Sequence, residues 1–449
     1  MTEPIARPAR KNPVLRTRLP VLPPWQRSRV ALGLTAGAAE GRFELQVCAV
    51  CGTTQYPPRE ACVRCLATAL PWRRQSGAGE LIAETRLAHS HDVFFRERLP
   101  WRLGMVRLDA GPTVVVHLHG DAPAPPARVR VDARLDKAGM AVLVGFPEKD
   151  VSNMADDRQL REMTCDPKFR KALVTDGRTA VGQALARGLV DAGADIVWVG
   201  QAEPWKRAAG LDALAALPQV TLLPLDLTDE RSVQELAAEI AGKVDILVNN
   251  AEHHRAHGIA SRSGTDVAQA EMEINYFGML RLAQAFGPAM RARGADGQSS
   301  ATAWVNLLSV FALSNFPAHG TFSASKAAAH SLSQCLRAEM RAAGVRVINL
   351  FPGPIDDEWN QTLPPPKLAP VALARAVVTA LRDGVEDVYP GDVAQEWRER
   401  WHESPKVLER ELALGSGAEP CPCAAQSSQA AAQASVPRSA DSSWPRATR

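Results

Sequence analysis

Residues 172–182 read ALVTDGRTAVG, and this stretch decides the fold of the larger part of the chain. A short apolar run leads into a polar turn, which leads into small and apolar residues that can begin a helix. Similar apolar runs alternate with helix-length segments further along the chain; they cover 196–199, 220–224, 246–248, 304–308 and 346–350. This alternation is typical of βα units that form a parallel sheet covered on both faces. We therefore predict a doubly wound α/β domain over residues 169–414.

The turn resembles the nucleotide-binding turn of the short-chain dehydrogenase family, Thr-Gly-x3-Gly-x-Gly, and the resemblance implies a Rossmann-type sheet. Thr175 and Gly182 match this motif, whereas Asp176 and Ala180 stand where the family has glycine. The methyl group of Ala180 is a small obstacle to close approach of a diphosphate. The carboxylate of Asp176 is a larger one, because it adds negative charge beside a site that attracts phosphate through a helix N-terminus.

Other family motifs on the cofactor side are also partly present. The acid that would bind the adenosine ribose is expected about 20 residues after the turn, and Gly200 or Gln201 occupies that place. Glu252 replaces the glycine of the family's Asn-Asn-Ala-Gly element. The positions that do match, and that the resemblance assigns to cofactor binding, are Thr175, Gly182, Asp226, Asn249, Ala251, Lys326, Pro352 and Gly353.

The catalytic positions of the family are retained except for one. Asn275 matches its helix asparagine, and Ser309 lies thirteen residues before the Tyr-x3-Lys position, which is the family spacing. That position reads Phe322-Ser-Ala-Ser-Lys326, so the lysine is present and the phenol is lost. The resemblance assigns proton transfer to the tyrosine, and general acid–base catalysis is worth about 10² to 10⁴ in rate.

These departures lead to two hypotheses. The first is a catalytically degenerate dehydrogenase-fold subunit, because the changes concentrate on the cofactor and proton-transfer machinery; they are Asp176, Ala180, Gly200, Glu252 and Phe322. The sequence then supports the fold and argues against bound NAD(P). The alternative is an active NAD(P)-dependent alcohol or ketone oxidoreductase, possibly acting on a hydroxyacyl-CoA, that delivers the proton through water, Ser309 or His319. His253, His254 and His257 follow the Asn-Asn-Ala element, where a solvated loop is the simplest interpretation.

Upstream of this domain, four of the eight cysteines form the pattern Cys48-x2-Cys51-x10-Cys62-x2-Cys65. Two Cys-x2-Cys pairs can close a tetrahedron of thiolates around zinc, which is the closed coordination of a structural site. Metal binding then holds a small segment folded and leaves no position for a substrate. We predict a short helix and a zinc ribbon over residues 26–78.

Residues 79–148 contain five short runs with strand character, at 80–87, 103–108, 113–119, 128–131 and 140–146, and indicate a small β-barrel. Cys48-Ala-Val-Cys51-Gly52, Tyr56-Pro-Pro-Arg59 and Cys62-Val-Arg-Cys65 resemble the zinc-ribbon/OB-fold family that accompanies thiolase-like enzymes. The resemblance implies an accessory module that binds or orients acyl-CoA. It also implies a thiolase-like partner, and the degenerate half implies an active dehydrogenase subunit as a second partner, in a homo- or hetero-oligomer.

The remaining features limit the possible partners and location. The formal net charge is only +3, so the chain is no general polyanion binder, and single-stranded nucleic acid is not an expected ligand of the barrel. No apolar run has membrane-spanning length, and no secretory signal is evident, so the cytoplasm is expected. Residues 1–25 are expected to be a disordered basic arm, 149–168 a linker and 415–449 a disordered tail.

Overall fold

A computed structural model describes residues 2–7, 21–25, 27–206, 208–293, 303–361 and 363–415. Most of the expected tail, including Cys421 and Cys423, lies outside the described residues, as do residues 8–20 of the expected arm. The described part of the arm contacts the body of the protein: Arg7 forms an ion pair with Asp195 at 2.7 Å. Among the described residues, no helix is both long and apolar enough to cross a membrane.

The N-terminal helix and the ribbon come first, as predicted. A 3-10 turn (Arg29–Ala31) leads into α1 (Leu32–Ala39), and the chain reverses at Gly41, whose φ of +70° favours glycine. The ribbon is an antiparallel three-stranded sheet in the order β2-β1-β3; its strands are β1 (Glu44–Val47), β2 (Thr54–Gln55) and β3 (Trp72–Arg74).

The predicted barrel is confirmed as a closed barrel in the order β4-β5-β6-β8-β7. Its strands are β4 (Ala78–Leu87), β5 (Trp101–Leu108), β6 (Thr113–Leu118), β7 (Ala127–Leu135) and β8 (Ala141–Pro147). Along β6, Val114, Val116 and Leu118 point into the barrel and are buried, as their alternation predicts. A short helix, α2 (Val93–Arg96), lies in the loop between β4 and β5.

The segment 149–168 has structure of its own, although its charged residues suggested a linker. It contains a 3-10 turn (Met154–Asp156) and the helix α3 (Arg158–Arg161). Asp157 accepts hydrogen bonds from the backbone amides of Leu160 (2.8 Å) and of Gly120 on the barrel (3.0 Å). The side chain of Asp157 therefore packs against the barrel and the helix start instead of facing solvent.

The α/β half contains seven parallel strands in the order β11-β10-β9-β12-β13-β14-β15, which confirms the predicted Rossmann-type sheet. The strands are β9 (Lys171–Val174), β10 (Ile196–Gln201), β11 (Val220–Pro224), β12 (Ile246–Asn249), β13 (Ala303–Leu307), β14 (Arg346–Leu350) and β15 (Asp387–Val388). The strand order reverses between β9 and β12. In such sheets, ligands bind at this reversal, beyond the carboxyl ends of the strands.

Helices cover both faces of the sheet and enclose two separate hydrophobic cores. They are α4 (Ala180–Asp191), α5 (Leu211–Ala215), α6 (Glu230–Ile240), α7 (Asp266–Met272), α8 (Met279–Arg293), α9 (Gly320–Arg341), α10 (Pro370–Asp383), α11 (Asp392–Glu403) and α12 (Pro405–Gly415). A π-helix (Glu273–Gly278) joins α7 to α8, and 3-10 turns follow α6 (Ala241–Lys243) and β13 (Val310–Ala312).

The barrel and the α/β half are joined by buried hydrogen bonds. The guanidinium of Arg346, on β14, donates to the carbonyl oxygens of Leu135 (3.2 Å) and Asp136 (2.9 Å) on the barrel, and to that of Gly384 after α10. The amide of Glu386 donates to the carbonyl oxygen of Ala39 at 2.7 Å. Hydrogen bonds therefore join the α/β half both to the barrel and to α1.

Candidate functional site

The turn after β9 is tied to the end of β12 by a set of hydrogen bonds. Thr175 Oγ1 accepts from the amides of Asn250 (3.0 Å) and Ala251 (3.1 Å). Asn250 accepts from the amide of Asp176 (3.1 Å) and donates to its carbonyl oxygen (2.7 Å). Thr175 and the Asn-Asn-Ala element therefore act together as a structural clamp at the point where the strand order reverses.

Gly182 is required by close packing of the turn against α4. A Cβ at this position would collide with the carbonyl oxygen of Asp176. Thr179 caps the helix by accepting a hydrogen bond from the Gly182 amide at 3.1 Å. The methyl of Ala180 is exposed, so the helix start tolerates it.

Asp176 lies in the turn after β9, where the strand order reverses. Its Oδ1 accepts from the amide of Arg178 at 2.9 Å. Burial raises the pKa of Asp176, and the negative charges of Glu252 and Glu358 add to this effect. Asp357 belongs to the same acidic surroundings, since burial, assisted by Glu252, raises its pKa to about 6. The carboxyl groups of Asp176, Glu252, Asp357 and Glu358 thus lie close enough to influence one another's ionisation.

Glu252 forms an ion pair with Lys326, the lysine that the resemblance assigns to cofactor binding. Lys326 Nζ lies 2.8 Å from a carboxylate oxygen of Glu252 and donates to the carbonyl oxygen of Leu307 at 2.9 Å. The side chains of Lys326 and Glu252 are only 3% and 11% exposed, so solvent is almost completely excluded from the ion pair. Its attraction is therefore little screened by solvent.

Phe322 is buried on α9, and a histidine covers its ring. The imidazole of His254 stacks on Phe322 with ring centroids 3.6 Å apart and planes 13° from parallel. His254 Nε2 and His319 Nδ1 are 2.5 Å apart in a hydrogen bond. The simple interpretation of His254 as a solvated loop residue is wrong, because its side chain is 2% exposed. Among described residues, neither His254 Nδ1 nor His319 Nε2 has a hydrogen-bond partner.

Asn275 and Ser309, the remaining predicted catalytic residues, both make hydrogen bonds to nearby backbone. Asn275 accepts from the amide of His253 (3.0 Å) and donates to its carbonyl oxygen (2.9 Å) and to Ser325 Oγ (2.8 Å). Ser309 Oγ accepts from the amide of Phe311 at 3.2 Å. Ser309, Phe322, Glu252, His254, Pro352 and Gly353 line one cavity of about 20 Å³. This volume holds about one water molecule.

The other predicted cofactor residues mainly support the backbone. Asp226 accepts from both the amide (2.9 Å) and the hydroxyl (2.7 Å) of Thr228, and so stabilises its own loop. Asn249 is buried, with Oδ1 3.4 Å from Thr175 Oγ1. Pro352 accepts from the amide of Val310 at 3.0 Å. Gly353 is packed so closely that a Cβ would come within 2.9 Å of Val393.

Two charged interactions at this site were not predicted from the sequence. The Glu252–Lys326 pair is one, although both positions were identified individually. The other is formed by Glu203, which pairs with Arg178 in the turn and with Lys206, each at 2.6 Å. The ribose-binding acid was expected at position 200 or 201, and Glu203 lies two residues beyond Gln201. An acidic residue just after the end of the strand was the sequence signal that could have revealed this interaction.

The four predicted zinc ligands come together at one end of the ribbon. All four sulfur atoms lie within 4.8 Å of one another, with Cys48 and Cys65 at 3.5 Å and Cys51 and Cys62 at 3.6 Å. A tetrahedron with Zn–S bonds of about 2.3 Å has S–S edges of about 3.8 Å. The thiols therefore fit a closed, structural zinc site. Among the described residues, no other group of His, Cys, Asp and Glu has ligand atoms gathered in this way.

We expect the buried histidine pair to make stability depend on pH. Burial lowers the pKa of His319 to about 4 and that of His254 to about 2, whereas an unfolded histidine titrates near about 6.5. Below that value the unfolded chain takes up protons that the folded chain does not, so stability is present at neutral pH and is lost as the pH falls. Between about pH 7 and 5, His319 alone accounts for a loss of roughly 2 kcal/mol.

Chemical denaturation of wild type and His319→Gln at both pH values checks this expectation. The variant loses less unfolding free energy on acidification than the wild type does. His89→Gln, at an exposed position, is the matched control and retains the wild-type dependence. An unchanged dependence in the His319 variant contradicts the assignment.

Comparison with known proteins supports three domains. The profile of the short chain dehydrogenase family matches residues 170–367, that of the ChsH2 rubredoxin-like zinc ribbon domain matches 35–71, and that of the ChsH2 C-terminal OB-fold domain matches 72–139. The chain is 32% identical to 1-deoxy-11-beta-hydroxypentalenate dehydrogenase of Streptomyces exfoliatus over 210 residues, which cover 44% of this chain and 72% of that enzyme. An uncharacterized oxidoreductase of Staphylococcus aureus (strain USA300) is 28% identical over 216 residues, covering 47% of this chain and 90% of the relative.

A solved structure also supports a dehydrogenase-type fold for the α/β half. A short chain dehydrogenase from Burkholderia cenocepacia J2315, crystallised in complex with NADP, superimposes with a TM-score of 0.50 at 32% identity and covers 55% of this chain and 98% of its own. The seven-stranded parallel sheet and the matching motif residues of the α/β half agree with this superposition. Through this half the chain belongs to the short-chain dehydrogenase family, and it carries a ChsH2-type zinc ribbon and OB-fold ahead of that domain.

Proposed function

We propose that the dehydrogenase-type half performs no nicotinamide-dependent redox reaction and serves as a rigid body for the zinc-ribbon/OB-fold module. In this proposal the whole chain is an accessory subunit of an acyl-CoA-handling, thiolase-type assembly. The ion pair between Glu252 and Lys326 carries the proposal, because it occupies the lysine that would otherwise hold the cofactor ribose.

Three further features support the loss of redox function. Phe322 cannot donate or accept the proton that the family's tyrosine transfers, and the stacked ring of His254 covers it. The cavity beside Ser309 measures only about 20 Å³, so a nicotinamide ring placed there would require the surrounding side chains to move. The carboxyl groups of Asp176 and Glu252 repel the phosphates of a dinucleotide.

The N-terminal module retains its family's motif residues, in contrast to the α/β half. All four zinc ligands are present at tetrahedral spacing, and the barrel is closed. The family resemblance of this module implies acyl-CoA and a thiolase-like enzyme as the molecules it serves. An accessory subunit needs a folded module and a stable body to support it, and both are present.

A second candidate function is an active NAD(P)-dependent oxidoreductase. Asn275, Ser309 and Lys326 retain the family's residue types. Ser309 lines the small cavity, and Lys326 contacts Glu252, which also lines it. The related dehydrogenase from Burkholderia cenocepacia was crystallised with NADP. In this alternative the hydrogen-bonded pair of His254 and His319 replaces the tyrosine in proton transfer.

Titration calorimetry with NADH and NADPH distinguishes the two functions. We expect no saturable binding, with any dissociation constant weaker than about 1 mM. The Burkholderia cenocepacia relative, measured under the same conditions, is the positive control. A micromolar dissociation constant for either cofactor refutes the proposed function and favours the oxidoreductase.

A further inference from the structure

A second, larger cavity lies against the barrel, outside the α/β half. Its volume is about 190 Å³, which exceeds the roughly 150 Å³ of an engineered protein cavity that binds benzene. Side chains of the barrel, of the segment 149–168 and of residues 23–27 line it. The Arg27 guanidinium donates to the carbonyl oxygen of Pro24 at 3.1 Å and so holds the N-terminal wall together. The cavity therefore has room for a ligand of about one or two rings.

The apolar wall of this cavity is a cluster of aromatic rings. Phe95 makes edge contacts with Phe94 and with Trp101, each with ring centroids 5.3 Å apart. Phe94 and Trp101 are buried, and Phe95 is half-buried. The rings therefore form an enclosed wall for an apolar ligand and not an exposed stacking surface for bases.

The charged side chains that line the cavity balance one another. They are two cations and two carboxylates: Arg27, Lys137, Asp136 and Glu162. Arg27 and Lys137 each have a partner within the protein, and Glu162 pairs with Nε of Arg98 at 2.9 Å. None of these charges requires a counter-ion from a ligand, so the lining favours a neutral molecule over an ionic one.

Two residues of the lining carry a polar atom that has no hydrogen-bond partner among the described residues. Asp136 is 4% exposed; its Oδ1 accepts from the amides of Ala138 (2.9 Å) and Met140 (3.0 Å), whereas its buried Oδ2 accepts from none. The indole N–H of Trp101 donates to His117 Nδ1 at 2.7 Å, so the proton of neutral His117 is on Nε2. Burial lowers the pKa of His117 to about 4, which keeps the imidazole neutral at pH 7. The cavity lining thus offers one acceptor without a donor and one donor without an acceptor.

We propose that this cavity binds a small neutral alcohol or phenol. A hydroxyl group meets both needs, because its O–H donates to Asp136 Oδ2 while its oxygen accepts from His117 Nε2. The apolar body of the ligand lies among Phe94, Phe95 and Trp101. A carboxylate ligand brings no donor for Asp136 and adds a like charge beside it, so anions bind less well. The site is separate from the α/β cleft, and the inference stands whether or not the dehydrogenase half binds a cofactor.

Calorimetry of the full-length wild-type protein with 4-ethylphenol as the probe tests the proposal. We expect one saturable site per chain. The methyl ether 4-ethylanisole keeps the oxygen acceptor but has no O–H, and it binds about tenfold more weakly; the anion 4-ethylbenzoate does so as well. Equal affinity for the phenol and the ether overturns the assignment of a hydroxyl group. Binding of the benzoate as tight as that of the phenol, or tighter, overturns the assignment of a neutral ligand. Absence of saturable 4-ethylphenol binding up to about 10 mM overturns the site itself.

Two variants test where the ligand lies. Asp136→Asn keeps the shape of the side chain but replaces the unpartnered oxygen with an N–H donor, so the affinity for the phenol falls to about that for the ether. Phe95→Ala removes part of the aromatic wall and weakens the binding of both ligands by about tenfold. Asp212→Asn, at an exposed position on α5, is the matched control and leaves both affinities unchanged. Unchanged affinity for the phenol in both folded cavity variants overturns the location of the site.

Discussion

Replacing Cys62 with serine is expected to abolish stoichiometric zinc and to unfold the ribbon. Cys62 is fully buried, and its sulfur lies 3.6 Å from that of Cys51. The ribbon strands contain two to four residues each and have little core of their own. In small zinc domains the metal contributes about 10–16 kcal/mol to folding. A lost ligand therefore removes most of the free energy that holds residues 44–74 in place.

The effect is measured as zinc per chain by elemental analysis, together with hydrogen exchange of the ribbon amides. Zinc falls from one per chain to near zero, and the amides of β1 to β3 lose their protection. Cys335→Ser is the matched control, since Cys335 is an exposed cysteine on α9 and not one of the four clustered cysteines. It leaves both readouts unchanged. A Cys62→Ser protein that retains one zinc with a protected ribbon contradicts the structural role of the metal.

The second large effect is expected from Glu252→Gly combined with Phe322→Tyr. The first change frees Lys326 and removes a carboxylate from the cofactor region, and the second restores a phenol on α9. Removing one partner of a buried ion pair costs about 3–5 kcal/mol, because the other charge stays buried without compensation. We therefore expect the double variant to be less stable than the wild type, and to recover stability when an anionic cofactor binds beside Lys326.

Thermal denaturation with and without NADPH measures both parts of this expectation. Saturating NADPH, at about 100 times its dissociation constant, adds about 2.7 kcal/mol to the double variant and nothing to the wild type. Glu235→Gln, on the exposed face of α6, is the control and responds as the wild type does. If NADPH fails to stabilise the double variant, the ion pair is not what prevents cofactor binding.

The fold could be predicted from the sequence because its signals are local. The apolar run at 172–174 forms most of β9. The alternating residues Val114, Val116 and Leu118 lie on β6, and their side chains face the interior of the barrel. The strand β15 was missed because it has only two residues, Asp387 and Val388, and no apolar run. The packed segment 149–168 was missed because its charges find partners that are distant in sequence, such as Gly120.

The candidate site could be predicted only in part, because several of its contacts join residues that are distant in sequence. Ser309 and Lys326 were identified from their spacing; Ser309 lines the small cavity, and Lys326 contacts Glu252, which lines it too. The sequence could not show that Glu252 pairs with Lys326, because 74 residues separate them and either side chain could have faced solvent. The cover formed by His254 over Phe322 likewise depends on tertiary packing. The catalytic and cofactor roles of these residues remain predictions.

Arg346 has a consequence for how the chain can be divided. Its guanidinium is buried and satisfied by carbonyl oxygens from both the barrel and the α/β half. If the chain were cut before residue 169, the charge would lose its barrel partners, and the carbonyl oxygens of Leu135 and Asp136 would lose their donor. Each half would then expose to water polar groups that are buried in the intact chain. The covalent link therefore keeps together two surfaces that complement each other.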